Sequence, residues 1–153
     1  MGPEEAGEAE AVVRVFLDTS ALFALLVRND RMHARARGTF ERLVGQGAEL
    51  STTSYVVLEV EALLQARVGL DAARLFHHEF LPLLRVAWVD EKLHERAFWR
   101  LEMRGRRELS LVDCLSFVWM EDEGLTQVFA YDRHFADEGF TTLETANDVT
   151  GQV

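Results

Sequence analysis

Val12-Val13-Arg14-Val15-Phe16-Leu17-Asp18-Thr19-Ser20 is an apolar, valine-rich run broken only by Arg14, and it stops abruptly on an acid and two hydroxyl residues. So short a run predicts a buried strand, and the Asp-Thr-Ser that follows predicts a helix start. The same rhythm continues downstream. Apolar spacing predicts helices over residues 21–27, 31–44, 53–67, 71–80 and 90–104, and one opened by Ser110 and stopped by Gly124. Strands are expected between them at 49–52, 84–89, 128–131 and 140–143, the first of these weak on its own. Strands alternating with helices predict an α/β domain: a three-layer sandwich with a central, mostly parallel sheet of about five strands and helices on both faces. Met32, Phe40, Cys114 and Trp119 are expected in its core.

Residues 1–11 are Gly-, Ala- and Glu-rich and are expected to form an acidic flexible leader. One folded domain is expected over 12–147, with a short tail over 148–153. A chain of 153 residues buries an ordinary core without staples. No apolar run approaches the ~20 residues needed to span a membrane. Cys114 is the only cysteine, which excludes an internal disulfide and suits a reducing cytoplasm. The net charge of −10 argues at first sight against a nucleic-acid partner. Setting aside the leader acids Glu4, Glu5, Glu8 and Glu10, together with four candidate site acids, leaves the remainder near neutral. Of the 16 basic residues only Lys92 is a lysine, and arginine is the side chain that grips phosphate with two hydrogen bonds.

The four candidate acids are Asp18, Glu59, Asp113 and Asp132. In an open parallel sheet, ligands bind outside the carboxyl ends of the strands. Asp18 directly follows the first expected strand and Asp132 a later one, while Asp113 opens a helix and Glu59 lies in the helix after the second strand. Each has an ordinary explanation: a helix N-cap for Asp18, a capping-box acid for Asp113, a turn for Asp132. Spacing alone does not choose between Glu59 and Glu61, which flank the apolar stripe of their helix on opposite sides. Carboxylates crowded at one sheet edge repel one another unless a cation intervenes, and an all-oxygen set suits Mg²⁺ or Mn²⁺. Zinc is not expected, because the five histidines show no zinc-ligand spacing with Cys114. His77-His78 and His134 read as surface and structural residues.

Taken together, four stretches resemble the motifs of the PIN-domain family. Val15-Phe16-Leu17-Asp18-Thr19-Ser20-Ala21-Leu22 resembles its opening motif, and Thr53-Ser54-Tyr55-Val56-Val57-Leu58-Glu59 the second, which selects Glu59 over Glu61. Leu109-Ser110-Leu111-Val112-Asp113-Cys114-Leu115-Ser116-Phe117 resembles the third. Phe129-Ala130-Tyr131-Asp132-Arg133-His134-Phe135, followed by Gly139-Phe140, resembles the fourth. They occur in family order and at family spacing over nearly the whole chain. One departure is Ala130, where members often carry a hydroxyl residue two positions before the last aspartate.

The resemblance implies a Mg²⁺-dependent (or Mn²⁺-dependent) endoribonuclease that hydrolyses RNA phosphodiesters, with Asp18 and Asp113 as main metal ligands and Glu59 and Asp132 completing the site. A bound metal acidifies its water and neutralises charge on the phosphate. Thr19 or Ser20 is expected to touch that water or the phosphate, and Arg104, Arg106 and Arg107, which with Arg100 precede the Asp113 helix, to hold substrate. By analogy with VapC-type toxins, the resemblance also implies a cognate antitoxin partner and a homodimer. The alternative is a PIN-fold RNA-binding or scaffold protein with little catalysis. Phosphoryl-transfer folds that also place an aspartate after a first strand need a second Asp where Ser20 stands, or a late-strand lysine that this chain lacks.

Overall fold

The computed structural model describes residues 12–143. The expected leader and tail, and residues 144–147 of the expected domain, lie outside that span. Five strands pair in the order β3-β2-β1-β4-β5, every pair parallel. They are β1 Arg14–Leu17, β2 Glu49–Thr53, β3 Arg85–Ala87, β4 Gln127–Phe129 and β5 Thr141–Thr142. Among the described residues seven α-helices join them: α1 Thr19–Leu26, α2 His33–Gly45, α3 Ser54–Arg67, α4 Leu70–Leu75, α5 Glu91–Arg104, α6 Leu111–Glu123 and α7 His134–Asp137. The expected α/β class is the observed one. No helix among the described residues is long and apolar enough to cross a membrane.

The central strand explains its own sequence. Successive side chains of a strand face opposite sides of the sheet, and Val15, Phe16 and Leu17 are all fully buried. Both faces of β1 are therefore covered, which is why it reads as a continuous apolar run rather than an alternating one. Its neighbour β2 reads weakly because its buried residues are hydroxylic. Ser51, Thr52 and Thr53 are all inside, and Thr52 Oγ1 donates to the Leu17 carbonyl at 2.8 Å. The threonine hydroxyl finds its acceptor within the sheet, so its burial costs little. At the opposite end of these strands Glu49 takes ion pairs from Arg14 of β1 (3.5 Å) and Arg85 of β3 (2.9 Å).

Three departures from the sequence expectation have a local reason. The helix expected over 71–80 ends as α4 at Leu75, passes through a π-helical turn at Phe76–Phe80 and closes in a 3₁₀ turn at Leu81–Leu83. There Phe76 is fully buried and stacks on Phe80 (centroids 5.9 Å apart), which in turn meets Phe40 of α2 at 5.3 Å. Strand β4 stops at Phe129 rather than Tyr131, because the Tyr131 N–H donates to Ser20 Oγ (3.0 Å). Helix α7, four residues long, is too short to show periodicity in sequence. Of the expected core residues Cys114 is fully buried, while Met32, Phe40 and Trp119 are half-buried against the core.

Beneath α6 and α7 lies an aromatic cluster. Phe117 meets Phe135 edge-on at 5.0 Å and stacks on Phe140 at 6.0 Å, and Phe135 reaches Phe16 of β1 at 6.3 Å. Phe117→Ala is expected to destabilise the fold by about 3–5 kcal/mol in urea unfolding. Phe98→Ala, at a position 45% exposed, is expected to change it by less than about 0.5 kcal/mol.

Candidate active site

The strand order reverses beside β1: β2 and β3 lie on one side of it, β4 and β5 on the other. A crevice therefore opens at the carboxyl ends of β1 and β4. Asp18 follows β1 immediately and Asp132 follows β4 by three residues, so the topology brings both to one rim.

Asp18 is the N-cap of α1 and is only 3% exposed. Its Oδ2 accepts from the Ser20 N–H (3.1 Å) and from Ser20 Oγ (2.6 Å). The same Ser20 hydroxyl accepts from the Tyr131 N–H, and the Asp18 N–H donates to the Phe129 carbonyl at 3.1 Å. One hydroxyl thus ties the end of β1 to the loop that carries Asp132. Ser20 is engaged on both sides. Thr19 Oγ1 is buried and has no hydrogen-bond partner among the described residues.

Asp113 stands at the third position of α6 and closes the expected capping box. Its carboxylate accepts from the Ser110 N–H (3.1 Å), while its own N–H donates to Ser110 Oγ (3.0 Å). Asp132 Oδ1 accepts from the His134 N–H at 2.6 Å, holding the turn into α7. The ordinary and the functional readings of these acids are therefore not rivals. Each cap or turn bond leaves its carboxylate fixed at the rim.

Carboxylate oxygens of Asp113 and Asp132 and a ring nitrogen of His134 lie within 4.8 Å of one another. His134, expected to be structural, is thus part of the cluster, and its Nδ1 is buried without a partner among the described residues. An aspartate and a histidine two residues apart at a strand end was the sequence signal for it. Neither Asp18 nor Glu59 belongs to that 4.8 Å group. Glu59 is half-buried on α3 one turn from Leu63, which lines a hollow shared with Thr19, Ser20 and Tyr131. Residues four apart share a helix face, which puts Glu59 on the Leu63 side of α3. Glu61 turns away and bonds His77 Nδ1 at 2.7 Å; both His77 and His78 are exposed, as expected.

Burial pushes the Asp18 carboxyl from its ordinary 3.8 up to about 7; the Ser20 bonds oppose this, and the charges of Asp113 and Asp132 add to it. Asp113 is also raised, first by burial and then by Asp132, against its Ser110 bonds and the nearby His134. The carboxyls of Asp18, Asp113 and Asp132, with the His134 imidazole beside them, form a donor set that fits a divalent cation. The oxygens suit Mg²⁺, and the nitrogen suits Mn²⁺ at least as well.

The arginines before α6 are largely engaged. Arg104 grips Glu138 with two bonds (2.7 and 2.9 Å), and Arg100 reaches Glu121 (2.5 Å) and Glu138 (3.3 Å). Arg106 lies 3.8 Å from Glu108, and exposed Arg107 has no ion-pair partner among the described residues.

The PIN domain profile matches residues 15–140 of this chain. The chain belongs to the PIN-domain family. It is therefore a metal-dependent nuclease, a hydrolase, by family membership. It is 33% identical over 131 residues to the 23S rRNA-specific endonuclease VapC20 of Mycobacterium tuberculosis, a match covering 84% of this chain and 97% of that protein. The crystal structure of VapC20, described as a sarcin-ricin loop cleaving toxin, superposes with a TM-score of 0.74 at 32% identity, over 83% and 96% of the two chains. The DNA-bound VapBC complex of Salmonella typhimurium has a chain matching with a TM-score of 0.63 at 15% identity, over 86% and 97%, a likeness of fold alone.

The carboxyl shifts make a stability prediction for the protein freed of metal. Between pH 4 and 7 the folded state holds a proton on Asp18 that the unfolded chain has lost, so stability falls as pH rises through that window and levels off above it. The loss is expected to be on the order of a few kcal/mol. Thermal unfolding in EDTA is expected to show it, Asp18→Asn to flatten it, and added Mn²⁺ to raise the melting temperature more at pH 8 than at pH 5.

Proposed function

We propose that this PIN-domain chain is a Mg²⁺- or Mn²⁺-dependent endoribonuclease of the reducing cytoplasm, acting on structured ribosomal RNA as the toxin of a toxin–antitoxin pair. The observation that carries the reading is the convergence of Asp113, Asp132 and His134 within 4.8 Å beside buried Asp18, at the sheet's switch point. The substrate class is supported by the 33% identity to an enzyme named for cleavage of 23S rRNA, spanning 97% of its length. The antitoxin is supported by that relative's toxin description and by the VapBC fold likeness. A homodimer is supported by exposed apolar side chains such as Trp99 and Met103 on α5, whose burial between copies would remove them from water.

Asp113, Asp132 and His134 would hold the cation, with Asp18 beside them and Glu59 reaching in from α3. Bound there, the cation supplies positive charge against the phosphate and acidifies water. The chain's own groups do the rest. Ser20 holds the Asp18 oxygen in place and fixes the Asp132 loop to it. Ser110 holds Asp113. Glu59, outside the tight group, is assigned the role of accepting the proton of the attacking water. Water adds to phosphorus, one P–O bond to ribose breaks, and the leaving oxygen takes up a proton. Arg106 and Arg107, more accessible than Arg104, are assigned to flanking phosphates.

A hairpin RNA carrying the sarcin-ricin loop tests the reading. Cleavage is expected with Mg²⁺ or Mn²⁺, to stop in EDTA, and to fall at least about a hundredfold in Asp113→Asn. RNA that is bound but uncut under every metal condition would favour the scaffold reading instead. Arg106→Gln with Arg107→Gln is expected to raise KM and leave kcat unchanged, as for a contact made equally in ground and transition states.

A further inference from the structure

Two adjoining hollows of about 730 and 290 Å³ share Phe23, Asp30 and Arg67 as a common wall. Together they make a groove between the α1–α2 loop and α3. One end is lined by Thr19, Ser20 and Tyr131, the chain neighbours of Asp18 and Asp132. From there the groove runs past Arg31 and Arg67 to Arg28.

These three arginines are unlike most others in the molecule. Arg14, Arg37, Arg74, Arg85, Arg96, Arg100, Arg104 and Arg106 each face a carboxylate. Arg28, Arg31 and Arg67 make no ion pair among the described residues; Arg67 lies instead over the Phe23 ring, 5.3 Å from its centroid. The single acid on the groove wall, Asp30, holds its own turn by accepting from the Met32 N–H at 2.8 Å. His33 Nδ1 pairs with the Ala24 carbonyl at 2.9 Å, so the loop carrying Arg28 and Arg31 is pinned to α1. In a chain of net charge −10, unneutralised arginines collected in one groove leave a positive strip in a negative field. Its mouth lies beside the acidic rim, the position a polyanion passing through the site would need.

We propose that this groove holds the RNA backbone on one side of the scissile bond, with Arg28, Arg31 and Arg67 each contacting a phosphate. The inference rests on the ribonuclease reading above. It assigns to the α1–α2 loop and α3 a substrate track separate from Arg104, Arg106 and Arg107.

The test is binding of a fluorescein-labelled sarcin-ricin hairpin RNA by fluorescence anisotropy, using the full chain in the Asp113→Asn background between about 50 and 250 mM NaCl. Arg28→Gln/Arg31→Gln/Arg67→Gln is expected to weaken binding at least about tenfold and to lower the salt slope by about 2, since each lost phosphate contact removes about 0.7–0.9. Arg37→Gln/Arg74→Gln/Arg85→Gln, which removes the same charge from exposed ion pairs elsewhere, is expected to change neither by much. If the triple variant is poorly folded by circular dichroism, Arg28→Gln/Arg31→Gln on the loop is read instead, with a slope change of about 1 to 2. Equal Kd and slope for the groove variant and the charge-matched control overturn the proposal. So does a groove variant that keeps RNA binding and loses only affinity for an acidic peptide, which would make the groove a protein-docking site. Cleavage by the unaltered chain is scored separately: no cutting fails the nuclease reading, whereas cutting with unchanged binding in the groove variant fails this inference alone.

Discussion

A carboxyl group buried at the end of the central strand governs this structure. Asp18 is withdrawn from water, caps α1, and takes two hydrogen bonds from Ser20. Burial disfavours its charge, and the neighbouring Asp113 and Asp132 disfavour it further. Such an arrangement is most stable when the carboxyl stays protonated or a cation joins it. The same strain that costs stability in the empty protein is available to metal binding, because a dication relieves it. Stability and function are coupled at one residue.

The site is precise because it is built from helix ends and turns rather than from free side chains. Capping bonds hold Asp18 and Asp113, and a turn bond holds Asp132. The Ser20 hydroxyl links the loops after β1 and β4, so these two carry their acids as one unit. Below them, Phe117, Phe135 and Phe140 fasten α6 and α7 to the sheet. Gly124, in the left-handed region at φ 67°, ends α6 so that β4 can return directly beside β1.

Charge is distributed with the same economy. Most arginines are tied to carboxylates, notably in the lattice of Arg96, Arg100 and Arg104 with Asp122, Glu121 and Glu138 that joins α5 to α6 and α7. The exposed Arg96–Asp122 pair adds little stability. The part-buried pairs on Glu138 and Arg100 fasten α5 to α6 and to the end of α7, and all of them cancel charge locally. Unbalanced among the described residues, besides Arg107, are an acidic rim that suits a cation and a positive groove beside it. The net charge of −10 therefore says little about what the site attracts.

Strand-helix alternation, caps and stop signals are local, so the sequence by itself determined the α/β class and placed Asp18 and Asp132 after strands and Asp113 at a helix start. It could not resolve Glu49–Thr53 clearly, because buried threonines look polar until their acceptor, here the Leu17 carbonyl, is known. It could not show that β4 ends early or that α7 exists, since a bond from Tyr131 to Ser20 across 111 residues decides the first and a four-residue helix has no period. His134 joining Asp113 and Asp132 without Glu59, Arg104 bound to Glu138, and the placing of Arg28, Arg31 and Arg67 along one groove were decided only by tertiary structure. Each depends on the distance between atoms far apart in the chain, and such distances follow from how strands register and helices pack, which residue spacing alone does not encode.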